Sequence, residues 1–353
     1  MKIKLAILEN DQNYLNRIVS AFSVKYPDNL EVYSFTNMDM AISSIDSSRI
    51  DILIADSSFE IDVASLPKRC GFAYLVDSTD IDMLNSQRAI CRFQKADLIY
   101  RQILSIYSEN AGNLSGIKLG DDSSKIIAFT SPSGGVGTST VAAACALHFA
   151  QSGKKTLYLN LEKFGSSDLF FSGEGQFDLS DVIFALKSKK ANLVMKLESC
   201  VKQDLKGVYF YSKTKVALDM LELSADDIIR LINELKISGS YDYIILDLDF
   251  SMSKEMREIL SQALSIIWIG DGSEASNMKI ARAYTAFSIK ENNEETPLTN
   301  RLSLFYNRFS SKTGETVGIE ELKNVGGAPW YKQATTEQII DELSKTAIFD
   351  KIC

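Results

Sequence analysis

Short apolar runs alternate with longer stretches of helical period along most of the chain. The first runs fall at Lys4–Leu8, Leu30–Phe35, Ile50–Ala55, Ala73–Val76 and Ile90–Phe93. Between them, segments such as 14–22 set Tyr14, Leu15, Ile18, Val19 and Phe22 at helical spacing. A second series follows at Ile126–Thr130, Thr156–Leu161, Gly207–Tyr211, Tyr243–Leu246, Ser265–Ile269 and Arg301–Tyr306. These runs are nearly continuous in apolar residues, as in strands covered on both faces. Strands alternating with helices predict an α/β protein with two doubly wound parallel sheets. Between the two series, Gly112, Gly116, Gly120, Asp121 and Asp122 crowd a stretch without apolar period. That stretch reads as a linker over 108–124, joining domains at 1–107 and 125–353.

Composition narrows this picture only slightly. The 353 residues suffice for two domains, and 45% apolar with 24% charged residues is ordinary for globular cores. The formal charge of −8 argues against a large nucleic-acid footprint. Lys187, Lys189 and Lys190 form the main basic cluster, which reads as a solvated face. Cys70, Cys91, Cys145, Cys200 and Cys353 have no metal or disulfide spacing and fit a cytoplasmic protein. The N-terminus becomes acidic at Glu9, too early for a signal peptide, and no run of about 18 apolar residues marks a membrane span. The single histidine, His148, falls inside a predicted helix and reads as a core or groove residue.

Ligands of doubly wound sheets bind beyond the carboxyl ends of the strands. In the second domain the first strand leads into Ser133-Gly134-Gly135-Val136-Gly137-Thr138-Ser139-Thr140, followed by a small-residue helix. Glycines in such a loop let backbone N–H groups turn onto phosphate oxygens. The next strand ends in Asn160-Leu161-Glu162, another in Asp247-Leu248-Asp249, and the last in Asn307-Arg308. Ser139 stands where a hydroxyl ligates Mg²⁺ in phosphate loops, and Asp247 supplies a carboxylate for the same ion.

The loop resembles the deviant Walker A motif of the MinD/ParA ATPases. Tyr241–Asp247 resembles their Walker B strand, and Asn307-Arg308 their adenine-side pair. Gly326-Gly327-Ala328-Pro329-Trp330 resembles their later proline-containing loop near the base. The resemblance covers about residues 122–353 and implies bound ATP and Mg²⁺, with Pro329 and Trp330 beside the base. Ser133 replaces the family's signature lysine, Thr138 its ordinary phosphate-loop lysine, and Asn160 the first switch aspartate. Losing a charged hydrogen bond to phosphate costs about 1.5–3 kcal/mol. Hydrolysis suffers more than binding, because phosphoryl transfer depends on positioned charge. Glu162 is the remaining candidate for orienting a catalytic water, and Lys163 for a replacement cation.

The first domain resembles a response-regulator receiver of flavodoxin-like fold. Asp56 matches the phospho-acceptor, Ser78 the hydroxyl residue and Lys95 the lysine, while Glu9 and Asn10 stand in a degenerate acidic pair. Ala96 replaces the usual proline after the lysine. Loss of a carboxylate weakens any Mg²⁺ site there, leaving two readings: phosphorylation of Asp56, or a docking and dimerisation module. A receiver-like domain before a deviant ATPase is similar to the TadZ/CpaE family of Tad (Flp) pilus assembly. The resemblance implies an ATP-bound homodimer with weak or absent hydrolysis, contact with pilus secretion components and concentration at a cell pole. The competing reading is a ParA- or MinD-like positioning ATPase on DNA or membrane. The net acidity and the acid-rich amphipathic segment 337–345 speak against both surfaces.

Overall fold

The computed structural model describes residues 2–110, 124–188, 192–291 and 297–352. The chain begins with β1 (Ile3–Leu8), α1 (Gln12–Lys25), β2 (Leu30–Phe35), α2 (Met38–Ser47), β3 (Ile52–Asp56), β4 (Gly71–Val76), β5 (Met83–Leu84), β6 (Gln87–Cys91) and α3 (Ala96–Asn110). It continues with β7 (Lys125–Thr130), α4 (Thr138–Gln151), β8 (Thr156–Asn160), α5 (Leu179–Ser188), α6 (Leu193–Cys200), β9 (Lys202–Gln203), β10 (Tyr209–Phe210), α7 (Leu218–Leu221) and α8 (Ala225–Ser238). It ends with β11 (Tyr243–Asp247), α9 (Lys254–Leu260), β12 (Ser265–Gly270), α10 (Glu274–Glu291), β13 (Leu302–Phe309), β14 (Lys323–Pro329) and α11 (Thr336–Ser344). No helix among the described residues is long and apolar enough to cross a membrane.

Two units share these elements. Residues Met1–Ile117 and Phe184–Cys200 form one, and Lys118–Ile183 and Val201–Cys353 the other. In the first, the strand order is β2-β1-β3-β4-β6-β5, parallel except for the β5–β6 edge pair. Alternate residues of each strand feed opposite faces. Leu5, Ile7, Ile52, Ile54 and Leu75 pack with α1 and α3, whereas Ala6, Leu8, Leu53, Ala55 and Tyr74 pack with α2. Asp11 caps α1 by accepting from the N–H groups of Asn13 and Tyr14.

An unexpected component of this unit is α6, which lies against α3. Its Met195 joins the core made by α1, α3 and the sheet. Its docking explains why α3 buries polar Gln102, Ser105 and Ser108 as well as its apolar face. The buried Lys196 donates to Ser105 Oγ at 2.9 Å and lies 4.0 Å from Glu109 Oε1, whose charge offsets the cost of burying its own.

The second unit has the order β14-β13-β12-β7-β11-β8-β10-β9, parallel except for the β10–β9 edge pair. Helix α4 packs on β7, β8 and β11 through Val141 and a run of small residues, Ala142 to Ala146, all fully buried. Small side chains bring the helix axis close to the sheet and fix where its N-terminus points. α11 covers α4 with Ile340 and Leu343. His148 on α4 ties down this C-terminal region, its Nδ1 2.7 Å from the Ser344 carbonyl and its Nε2 2.9 Å from Asp350.

Several element boundaries differ from the sequence reading. α3 runs to Asn110, so 108–110 are helical, and the remainder of the expected linker, 111–123, lies outside the described residues. Lys189, Lys190 and Cys353 lie outside them too. Gly207–Tyr211 contributes only the two-residue β10. The segment 326–329, expected as a loop, belongs to β14, paired in parallel with β13.

Candidate functional site

Each unit gathers polar residues where its strand order reverses. In the second unit β7 lies between β12 and β11, and its carboxyl end opens into the glycine loop. The loop has a floor that the sequence reading missed. Ser131 Oγ donates to the Ile269 carbonyl at 2.6 Å and accepts from the Ser133 N–H at 3.0 Å. From the other side, Asn307 Nδ2 donates to the Val136 carbonyl at 2.8 Å, and Arg308 Nη1 to the Gly135 carbonyl at 3.2 Å. The Asn-Arg pair therefore clamps the loop backbone in this structure.

Gly135 and Gly137 have φ of 78° and 87°, in the left-handed region that glycine tolerates. A Cβ on Gly137 would come within 2.5 Å of Asn307 Nδ2, whereas those on Gly134 and Gly135 would meet open space. Gly137 also caps α4 without any side-chain hydrogen bond to the helix's first N–H groups. Free N–H groups and the positive end of a helix dipole face one cavity, the arrangement that binds anions. That cavity measures about 380 Å³. All of the predicted loop residues except the buried Val136 line it, joined by Ser131, Glu162 and Leu248–Phe250. Pro329 and Trp330 are exposed and are not among its lining residues, nor is Lys163. Among the described lining residues there is no lysine or arginine, while Glu162 and Asp249 bring two carboxylates.

Behind the loop lies a network of acidic and amide groups. Asp247, at the end of β11, is wholly buried. Its Oδ2 accepts from Tyr158 Oη at 2.7 Å and from Asn160 Nδ2 at 3.0 Å. The same amide lies 3.2 Å from Glu162 Oε2, to which Ser139 Oγ donates at 3.1 Å. Asn160 thus bridges two carboxylates, where an aspartate would have added a third negative charge. Burial raises the Asp247 pKa to about 7; the Glu162 charge adds to this, and the Tyr158 hydrogen bond partly offsets it. Ser139 has one proton and gives it to Glu162, leaving Asp247 Oδ1 buried without a hydrogen-bond partner. A hydroxyl and two carboxylates, one with an unpartnered buried oxygen, form an oxygen donor set suited to Mg²⁺. The uncapped helix and open glycine cradle suit the phosphates beside it.

In the first unit β1 lies between β2 and β3, and the polar strand ends converge beside that reversal. Glu9 and Asp56 are almost wholly buried. Asp56 Oδ1 accepts from the Ser58 N–H at 3.0 Å and from the Ser58 hydroxyl. Asn10 Nδ2 donates to Ser58 Oγ at 2.8 Å, so Asn10 reaches the pocket at one remove. Ser78 Oγ accepts from the Asp80 N–H, closing its own turn. Lys95 is exposed, and its carbonyl accepts from the N–H groups opening α3. The cation against Asp56 is Arg92, which the sequence reading passed over in favour of Lys95. Arg92 Nη1 lies 3.1 Å from Asp56 Oδ2, as a charge contact not aligned into a hydrogen bond. Burial raises the Glu9 pKa and opposes the charge on Arg92, but Asp77, Glu9 and Asp56 outweigh that and hold the Arg92 pKa above its ordinary value.

Residues 1–108 match the model of the TadZ-like receiver domain, and residues 124–295 match an AAA domain model. No curated protein matches the chain. Similar solved structures include a ParA family ATPase from Chlorobium tepidum TLS, 18% identical with a TM-score of 0.49, covering 66% of this chain and 97% of that one. The MinD cell division protein of Aquifex aeolicus is 18% identical, with a TM-score of 0.48 over 65% of this chain and 95% of that one. MinD from Pyrococcus horikoshii OT3, complexed with Mg-ADP, is 15% identical, with a TM-score of 0.46 over 63% and 94%. Residues 1–108 are thus similar to a TadZ-like receiver domain and residues 124–295 to an AAA domain.

Proposed function

We propose that the protein is an ATP-binding, dimerising localisation factor for assembly of a Tad/Flp-type pilus secretion system, with weak or absent ATP hydrolysis. The observation that carries this reading is the glycine cradle opening onto an uncapped helix N-terminus with no lysine or arginine among the described lining residues. Backbone donors suffice to hold phosphates, and Ser139 and Asp247 would hold Mg²⁺. Fast phosphoryl transfer needs positioned positive charge as well, and here Ser133 and Thr138 offer none. Arg308, bonded to the rim of the loop, is the cation best placed to approach the phosphates. Glu162 is the candidate for slow turnover through an oriented water. The TadZ-like receiver match supports the pilus assignment. Homodimerisation, contact with pilus secretion proteins and concentration at a cell pole in the cytoplasm belong to the same reading.

Sedimentation with and without ATP–Mg²⁺ tests the switch. The expected result is a nucleotide-dependent dimer, with turnover well below about 1 s⁻¹, the lower end of ordinary enzymes. A monomer under both conditions would overturn dimerisation. Nucleotide-dependent flotation with liposomes, or a salt-sensitive DNA shift, would favour a membrane- or DNA-positioning ATPase instead.

A further inference from the structure

Arg92 leaves the end of β6 and reaches over the carboxyl ends of its neighbours. Its Nη1 lies 3.2 Å from each carboxylate oxygen of Glu9 and 3.1 Å from Asp56 Oδ2, while its Nε donates to Asp77. One nitrogen thus stands almost equidistant from three oxygens of two buried carboxylates. The Arg92 side chain is only 16% exposed. Buried carboxylates this close require a cation or a proton. An arginine stays charged at any physiological pH and, being tethered, is present at high effective concentration.

We propose that Arg92 is the resident cation of this pocket, standing where a receiver-type acidic site would hold a divalent metal. Arg92 then supplies the pocket with a cation without metal, and Asp56 serves as an ion-pair partner, not a phosphoryl acceptor. Phosphorylation by acetyl phosphate would need an Asp56 oxygen to attack phosphorus as acetate leaves. Here Oδ1 is engaged by both donors of Ser58, and Oδ2 faces Arg92.

The test uses the full chain, free of nucleotide, with Mn²⁺ binding followed by electron paramagnetic resonance. The wild-type protein and Asp56→Asn should bind Mn²⁺ equally, because the pocket takes none. Arg92→Gln should gain one site with a dissociation constant of about 10⁻³ M or tighter. That site should vanish in Arg92→Gln/Asp56→Asn and persist in Arg92→Gln/Ser139→Ala, which separates it from the nucleotide pocket. Mg²⁺ should raise the melting temperature of Arg92→Gln and leave that of the nucleotide-free wild type unchanged. The proposal fails if Asp56→Asn weakens Mn²⁺ binding in the wild-type background, or if a folded Arg92→Gln gains no metal. It also fails if acetyl phosphate and Mg²⁺ add a phosphate mass at Asp56 of the wild type. Should Arg92→Gln not fold, the wild-type and Asp56→Asn pair decides alone.

Discussion

The two strand-end pockets are built alike and charged differently. Both lie where a parallel sheet reverses its strand order, and both place buried aspartates at the ends of strands. In the receiver domain, Arg92 gives the carboxylates a cation from within. In the AAA domain, Glu162, Asp247 and Asp249 converge beside free N–H groups without such a partner among the lining residues. One pocket is complete as folded. The other carries uncompensated negative charge, which a divalent metal would offset. A position where the chain supplies its own counter-ion is insulated from solution, whereas a position where it withholds one is coupled to it.

The largest expected effect comes from destroying the cradle. Gly137→Val forces a side chain into a left-handed backbone and against Asn307, and should weaken ATP binding by roughly 100-fold or more through strain and lost loop geometry. Saturating ATP–Mg²⁺, at about 100 times its dissociation constant, should stabilise the wild type by about 2.7 kcal/mol and leave this variant unchanged in a thermal melt. Equal stabilisation of both would remove the loop from the site.

The next effect separates the pockets by the sign of a mutation. The Asp247 carboxyl moves from an ordinary 3.8 to about 7 in the folded protein. The fold therefore keeps a proton that the unfolded chain loses, and stability from this group falls as pH rises between those values and then levels off. Asp247→Asn removes the loss and should stabilise the nucleotide-free protein by on the order of 1–4 kcal/mol at pH 8, with little difference at pH 4. Denaturant melts at the two pH values check this. Asp56→Ala should act in the opposite direction, costing about 1–3 kcal/mol, because it leaves a half-buried guanidinium one partner short. Destabilisation by Asp247→Asn at pH 8 would show that the AAA pocket is balanced internally after all.

The smallest effect is kinetic. Glu162→Gln should lower residual ATP turnover by roughly 10- to 100-fold while changing ATP affinity only a few-fold. Turnover unaffected by the substitution would release Glu162 from any part in hydrolysis.

The central strands were legible because residues covered on both faces must be apolar, as in Ile52–Asp56 and Tyr243–Asp247. Edge strands carry no such obligation. β14 is Lys-Asn-Val-Gly-Gly-Ala-Pro, held by its ladder with β13 and barely apolar, and it read as a loop. The glycine loop was legible because its backbone conformation demands glycine at 135 and 137. The roles of Asn307 and Arg308 on the loop carbonyls were not, since side-chain targets across 171 and 173 residues leave no local pattern. Arg92 was hidden differently. It lies inside the predicted strand Ile90–Phe93, yet the receiver pattern drew attention to the lysine three positions later.

The docking of α6 onto α3 bears on how the protein is made. A ribosome that has released residues 1–110 has delivered all six strands of the receiver sheet but not the helix that covers Ser105 and Ser108. That cover arrives only after the glycine loop and the Asn160–Glu162 segment have also been synthesised. The nascent first unit therefore waits, its last helix half-dressed, until the second unit is already begun. A chain cut at the junction near residue 110 would stay permanently at that stage, with Lys196 and Met195 removed from their places. The two domains are consecutive in family space but interleaved in the order of synthesis.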